Sequence, residues 1–419
     1  MSIGIVRFNT ARSFLIVPLL ALVAWGLTMI YSTTFALTRG ETGFVEDFFM
    51  KRQLVWLAVG GIMAGILWQM DYRKWERAKY ISLILLALPL GYLALASILW
   101  SIPAARDFIL QLPMIPFRYG RPLNGAFRWL RIGSVSIQPS EFVKPLLIFY
   151  LASHFRLPLR TENFKRGVLA PLLVCGSFLG LTFAGRDLST TVIIGAIVGT
   201  MLFIAGMRLR YLFALFLLGC LFVGLVLMSS PFRRKRVADY LSQRDQGGRG
   251  GNEQVLQAQM AMGSGGKAGL GFTQSRFKRL GLPEAHTDFI VAIVGEEAGF
   301  LGVTAVLLAY VLMSAGIFWI AAQAADPFGH LICTGVGLLF ALQSFINVSV
   351  VSGFCPTTGV TAPFLSYGGS SMISCLLCVG MVMSVSRVAQ REAYAVGDSP
   401  QADSGPDRRL NLQRKEIQE

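Results

Sequence analysis

Charge is scarce in this chain. Only 15% of its 419 residues are Asp, Glu, Lys or Arg, against roughly 25% in soluble domains. With 54% hydrophobic residues and a mean hydropathy of +0.57, that shortage excludes an ordinary soluble globular protein. Histidine is scarcer still. His154, His286 and His330 fall in separate loops, no HExxH pattern occurs, and no cysteine pair suggests a metal site. Of the six cysteines, Cys175, Cys220, Cys333, Cys375 and Cys378 lie in apolar segments and only Cys355 in an outer loop, without an outer partner. A disulfide framework is thereby excluded, and the cysteines read as small apolar packing residues. Acid is short as well, 23 acidic against 38 basic residues, for a net charge of +15. No β-barrel alternation is visible, which leaves helices as the way to satisfy backbone groups in lipid.

What the chain does have is long apolar runs. A helix needs about 20 apolar residues to cross the hydrocarbon. Ten segments qualify, near 13–37, 53–70, 81–100, 141–155, 168–185, 189–207, 210–230, 289–323, 328–352 and 370–388, the fourth and sixth being short. The eighth is interrupted by Gly295-Glu296-Glu297. The first follows Arg7 and Arg12 and lacks a small-residue cleavage site, so it reads as a retained helix. The fold class is therefore all-α: a polytopic membrane protein with about ten transmembrane helices and a large extracytoplasmic loop between the seventh and eighth. One membrane domain spans 13–391, between a cytoplasmic N-terminus (1–12) and a disordered, polar cytoplasmic tail (392–419). No internal repeat suggests an inverted-repeat transporter.

Basic residues in short loops set the orientation. With the N-terminus inside, the inner loops hold Arg73, Lys74, Arg77, Lys79, Arg156, Arg160, Lys165, Arg166 and Arg208, and the tail adds six more basic residues. The outer loops, about 101–140, 231–287 and 353–369, break the trend. The first carries Arg106, Arg118, Arg121, Arg128 and Arg131; the second opens on Arg233-Arg234-Lys235-Arg236 and continues to Lys267, Arg276, Lys278 and Arg279. Two readings account for this excess: attraction to anionic lipid head groups, or an anionic substrate handled outside, such as a lipid-linked diphosphate. Nucleic acid is excluded as a partner, because the basic residues are split across two membrane faces. Glycine-rich stretches in the second loop flank Asn252–Met262, which suits a short surface helix.

Four clusters at outer boundaries carry polar chemistry. In Gln138-Pro139-Ser140-Glu141-Phe142-Val143-Lys144, Glu141 and Lys144 share a helix face; they form either an internal ion pair or, at that depth, a site for an anionic ligand. Gly185-Arg186-Asp187-Leu188-Ser189-Thr190 reads as a tight turn with a helix cap. Leu282-Pro283-Glu284-Ala285-His286-Thr287-Asp288-Phe289 places a carboxylate, Asp288, where the eighth helix begins. Partial desolvation there would raise its pKa and suit it to general-base work near neutral pH; His286 is a rival base, and the alternative is that Thr287 or Asp288 merely caps the helix. Glu296 and Glu297, further in, need a basic partner or a solvated cavity. Asn347 and the stretch Pro356 to Ser371 form the fourth cluster. Two prolines and a Gly-Gly pair oppose a continuous helix. The free N–H groups here hold phosphate oxygens, or the segment is a packed re-entrant turn.

Together these clusters resemble the SEDS family (shape, elongation, division and sporulation). The family pattern Asn-Gly-Ala-x-Arg-Trp is met at 124–129, Gln-Pro-Ser-Glu-x-x-Lys at 138–144, and Leu-Pro-Glu-x-His-Thr-Asp-Phe at 282–289, with Gly-Glu-Glu at 295–297. Pro-x-x-Gly-x-x-x-Pro-Phe-x-Ser-Tyr-Gly-Gly-Ser is met at 356–370. The family's Gln-Pro-Asp-Leu-Gly-Thr is replaced by Gly-Arg-Asp-Leu-Ser-Thr at 185–190, which puts that turn's conformation in question. Within the family, Asn124-Gly125-Ala126 and Gly263-Ser264-Gly265-Gly266 look closer to the division branch than to the elongation branch.

The resemblance implies a peptidoglycan glycosyltransferase with ten membrane helices. It would polymerise lipid II, the undecaprenyl diphosphate-linked disaccharide-pentapeptide, on the outer face of the bacterial cytoplasmic membrane. Its partners would be a class B penicillin-binding protein transpeptidase, other divisome proteins at the septum, and membrane lipid. The essential aspartate carries over to Asp288. The substrate-binding candidates are Arg128, Arg131, Glu141, Lys144, Lys267, His286, Thr287, Ser366, Tyr367, Gly368, Gly369 and Ser370. Arg128, Arg131, Lys144 and Lys267 are the candidates to stabilise the leaving diphosphate. No protein-held metal is expected, although a divalent cation, magnesium or manganese, is compatible with that chemistry. The alternatives are an elongation polymerase of the same family, a lipid II flippase, and a non-catalytic scaffold for the transpeptidase.

Overall fold

The computed structural model describes residues 2–38, 48–118, 121–122, 126–156, 165–229, 234, 238 and 253–397. Twelve helices are seen among them: α1 (Ser2–Thr38), α2 (Phe48–Gln69), α3 (Lys79–Trp100), the short α4 (Arg106–Leu110), α5 (Pro139–Phe155), α6 (Ala170–Ala184), α7 (Leu188–Ile204), α8 (Leu209–Ser229), α9 (Glu253–Ser264), α10 (Ile290–Ala322), α11 (Pro327–Val351) and α12 (Gly369–Gly397). Among the described residues, strand is confined to two small antiparallel hairpins, Phe117–Arg118 with Arg121–Pro122 and Leu130–Ile132 with Val135–Ile137.

Eight helical stretches are long and apolar enough to cross a membrane. The two expected to be short are α5 and α7, 17 residues each. At 1.5 Å per residue they reach about 25 Å, near the roughly 30 Å of hydrocarbon, and they complete the expected ten. The chain is thus a multi-pass, all-α membrane protein. Helix starts follow local chemistry. Asp187 caps α7 by accepting from the Thr190 N–H, and Asp326 caps α11 by accepting from the Gly329 N–H at 2.7 Å, with Pro327 at the first helical position.

Burial sorts the helices. The centre is built by α5, α10, α11 and α12: α12 lies along α2, α1 along α10, and α11 against α10 and α5. Outward, α2 and α8 expose Val55, Ile62, Ile66, Phe213, Phe216 and Leu225, as lipid-facing helices do. The last helix runs to Gly397, so residues 392–397 are helical where a disordered tail is expected; 398–419 fall outside the described residues. The expected surface helix is α9. The expected interruption of the eighth span is found at Gly299 instead of 295–297: its φ of 67° and ψ of −162° break α10, a conformation that glycine adopts without steric cost.

Candidate active site

Asp288 stands at one end of the bundle, two residues before α10. The cap of α10 is Phe289, with no side-chain cap bond, so neither Thr287 nor Asp288 is a helix cap. Thr287 Oγ1 donates to the Glu284 side chain at 2.8 Å. The Asp288 carboxylate accepts no hydrogen bond among the described residues. Burial pushes its pKa up to about 6, the negative charge of Glu284 adds to the rise, and Arg128 opposes it. His286, the rival base, is driven below its ordinary pKa by burial, with Glu284 opposing. It is therefore a neutral imidazole near pH 7, packed 4.9 Å from the Phe49 ring and 5.8 Å from Tyr367.

The loop between α11 and α12 lies directly over this carboxylate. A Cβ on Gly359 would sit 3.4 Å from Asp288 Oδ2. The loop is fastened by Ser366, whose hydroxyl donates to the Thr287 carbonyl at 2.6 Å and accepts from the Ala362 N–H at 2.9 Å. The Tyr367 N–H donates to the His286 carbonyl at 2.9 Å. On the far side Asn347, inside α11, donates to the Asp288 carbonyl at 3.0 Å and to the Val360 carbonyl at 2.6 Å. Ser370 reaches across to α5, accepting from the Gln138 N–H at 2.9 Å.

Arg128 is held by the turn before α7. Its guanidinium donates to the Arg186 carbonyl at 2.7 Å and lies 3.8 Å from the Asp187 carboxylate. Asp187 is buried and accepts from Ser140 Oγ at 2.9 Å and Gln138 Nε2 at 3.0 Å. Arg186 has a φ of 64°. Proline is locked near −65°, so the proline of the usual family pattern could not adopt this turn.

The sequence as a whole agrees with this geometry. A model for cell cycle proteins of the FtsW, RodA and SpoVE type matches residues 12–391. The chain belongs to this family. Among relatives of the FtsW, RodA and SpoVE family, stage V sporulation protein E of Bacillus subtilis is 37% identical over 90% of this chain and 97% of its own length. A probable peptidoglycan glycosyltransferase FtsW of Trichlorobacter lovleyi is 33% identical, covering 89% and 92%. A solved chain from "Structural coordination of polymerization and crosslinking by a peptidoglycan synthase complex" superposes with a TM-score of 0.64 at 25% identity, over 88% of this chain and 97% of that one. The rod shape determining protein RodA of Thermus thermophilus shares the fold, with a TM-score of 0.58, 24% identity, and coverage of 89% and 95%.

Not every candidate residue of this family member gathers at Asp288. Lys144 is buried and bonds Glu141 at 2.7 Å, with Gln343 Oε1 at 3.5 Å. That is the internal ion pair of the two readings, and it holds Lys144 among helices α5, α11 and α12. Arg131 and Lys267 are exposed; Arg131 donates to the Gly133 carbonyl of its own hairpin. Gly368 and Gly369 line the loop's end, where the Gly368 N–H donates to Gln53 at 3.3 Å and Gly369 packs on Trp56. Asn124, Gly125, Arg233, Lys235 and Arg236 lie outside the described residues. Glu297 has the basic partner it needs, Lys278 at 2.6 Å, and Glu296 accepts from the Arg276 N–H at 2.6 Å.

Sequence reasoning passed over Phe49, and it named Asp187 and Asn347 without the contacts they make here. Phe49 carried no polar signal. Asp187 read as a cap alone. Asn347 was grouped with the stretch Pro356 to Ser371, where its partner Val360 lies, but its other partner, the Asp288 carbonyl, belongs to a different segment.

Proposed function

We propose that the chain is a peptidoglycan glycosyltransferase of the FtsW type, polymerising lipid II on the outer face of the bacterial inner membrane during division. The observation that carries this reading is Asp288: a carboxylate without a hydrogen-bonding partner among the described residues, partly buried, and tuned to about 6. A base with that pKa is ionised at neutral pH yet basic enough to take a proton.

In the reaction, Asp288 removes the proton of the acceptor sugar's 4-hydroxyl. That oxygen forms a bond to the donor's anomeric carbon as the bond from that carbon to the diphosphate breaks. Undecaprenyl diphosphate leaves with the electron pair. Arg128, fixed by the Arg186 carbonyl and Asp187, supplies positive charge beside the developing anion. A magnesium or manganese ion is compatible with this chemistry and would serve it by neutralising charge on the leaving diphosphate. Ser366 and Tyr367 shape the site by fastening the loop above it, and the exposed Arg131 and Lys267 attract the anionic substrate from a distance. The transpeptidase partner is a class B penicillin-binding protein, in keeping with the peptidoglycan synthase complex, which polymerises and crosslinks and one chain of which shares this fold.

Purified lipid II, offered to the protein with its transpeptidase, is the test. Wild type should yield glycan chains and Asp288→Ala none. Equal yields would overturn the assignment in favour of a flippase or scaffold.

A further inference from the structure

Asn347 is 1% exposed and sits within α11. Its Nδ2 donates to two backbone carbonyls that belong to different segments: Asp288, at the end of the loop before α10, and Val360, in the loop that covers the carboxylate. Its Oδ1 is buried with no hydrogen-bonding partner. Two acceptors facing one end of the amide fix which end carries the nitrogen.

The energetics say what this amide is for. Two neutral hydrogen bonds stabilise the fold about as much as one orphaned buried acceptor destabilises it. These terms oppose one another, so net stability does not explain the buried amide of Asn347, one turn after that of Gln343 in α11. Position does. One side chain sets the spacing between the Asp288 backbone and the Gly359-Val360 backbone, and that spacing holds the carboxylate against Gly359 and partly out of water.

We infer that Asn347 is a positioning residue for Asp288, tying the catalytic carboxylate's backbone to the loop over it. This rests on the reading of Asp288 as the general base. The charged groups that act on Asp288 are Glu284 from its own loop and Arg128 from the segment before α5; the covering stretch Pro356 to Thr361 contributes none. With Asn347 removed, the tie is lost and water reaches the carboxylate.

The test is steady-state polymerisation of lipid II by the full-length protein with its transpeptidase, from about pH 5 to pH 8, a span that brackets the base. Rates are normalised to monodisperse protein, so that poor folding does not pass for poor catalysis. Asn347→Ala should lower kcat by about 10- to 100-fold, the scale of a misplaced reacting group, with KM changed by less than about twofold. Its acid limb should move from near 6 toward the ordinary carboxylate value near 4. Asn347→Asp keeps the shape but loses both donors and adds a negative charge; it should be equally slow, with the limb moved to higher pH. A wild-type rate in either variant, or a slow variant whose limb has not moved, would overturn the inference. Asp288→Ala is run alongside: polymerisation by that variant would overturn the reading of Asp288 itself, a separate failure.

Discussion

At the scale of single residues, the site turns on one carboxylate whose surroundings disfavour its charge. As the proposed general base, Asp288 would have to be ionised to act, so polymerisation should fall about tenfold per pH unit below 6 and level off above it; a pH–kcat profile of the purified complex checks this. The same shift makes a stability prediction. A carboxylate whose folded pKa is raised releases its proton more readily when unfolded, so its contribution to stability is lost as pH rises from about 4 to about 6. At pH 7 that loss is complete, and Asp288→Asn should be inactive yet melt at the same temperature as wild type or higher, measured by thermal unfolding in detergent. A lower melting temperature would mean that the carboxylate is a structural acceptor. Asp288 was legible because an acid at the start of an apolar run needs a reason. Lys144 was legible only as an alternative, since spacing gives the shared face with Glu141 and not whether a ligand also fits. Asn347 was not legible as a positioning residue, because its acceptors lie 59 and 13 residues away in the chain.

At the scale of elements, the loop after α9 is a wedge in the break of α10. The Leu270 and Gly271 N–H groups donate to the Glu296 and Glu297 carbonyls, and the Phe300 N–H donates to the Gly266 carbonyl at 2.8 Å. The fit is backbone on backbone. A Cβ on Gly269 would lie 2.1 Å from the Glu297 carbonyl oxygen, at a φ of 85°. Below the wedge, Lys278, Glu297 and Ser32 of α1 form a buried cluster: the ammonium bonds Glu297 at 2.6 Å and Ser32 at 2.7 Å, and Ser32 donates to Glu297. The loop that carries Asp288 is thereby anchored at both ends, by Lys278 and by α10. Glu297→Ala leaves a buried ammonium unpaired and should cost about 3–5 kcal/mol, whereas Lys278→Met with Glu297→Leu should cost much less. Thermal unfolding of the two variants decides it; equal losses would mean that packing, not charge, matters there. The sequence located the disturbance in α10 but assigned it to Gly295-Glu296-Glu297. Those carboxylates are satisfied within the helix's surroundings, and the backbone turns at Gly299 because a wedge from a distant loop needs the opening, which periodicity along one segment does not register.

At the scale of the whole molecule, two ends of the bundle carry different chemistry. One gathers Asp288, Arg128 and the loop over them. The other is tied by ion pairs: Arg73 bonds Asp326 at 2.7 Å and Glu392 at 2.5 Å, joining the starts of α3 and α11 to the end of α12, and Arg156 bonds Glu76 at 2.5 Å. Hydropathy alone revealed the helices between these ends, including the two short ones, because burial in lipid leaves its mark on every span. It did not reveal which helices form the centre, since a lipid-facing leucine and a core leucine look alike in sequence. The distribution of basic residues in short loops predicts a cytoplasmic ion-paired end, and this proposed orientation has a direct test. Cys355, half-buried beside the covering loop, should react with a membrane-impermeant maleimide added to spheroplasts. Cys175, Cys333, Cys375 and Cys378 are buried and Cys220 lies on lipid-facing α8, so they contribute little background. A cysteine placed at exposed Arg77 in a Cys355→Ser background should be labelled only after permeabilisation. The reverse pattern would put Asp288 on the cytoplasmic side, out of reach of an acceptor chain growing outside, and the polymerase reading would fail with it.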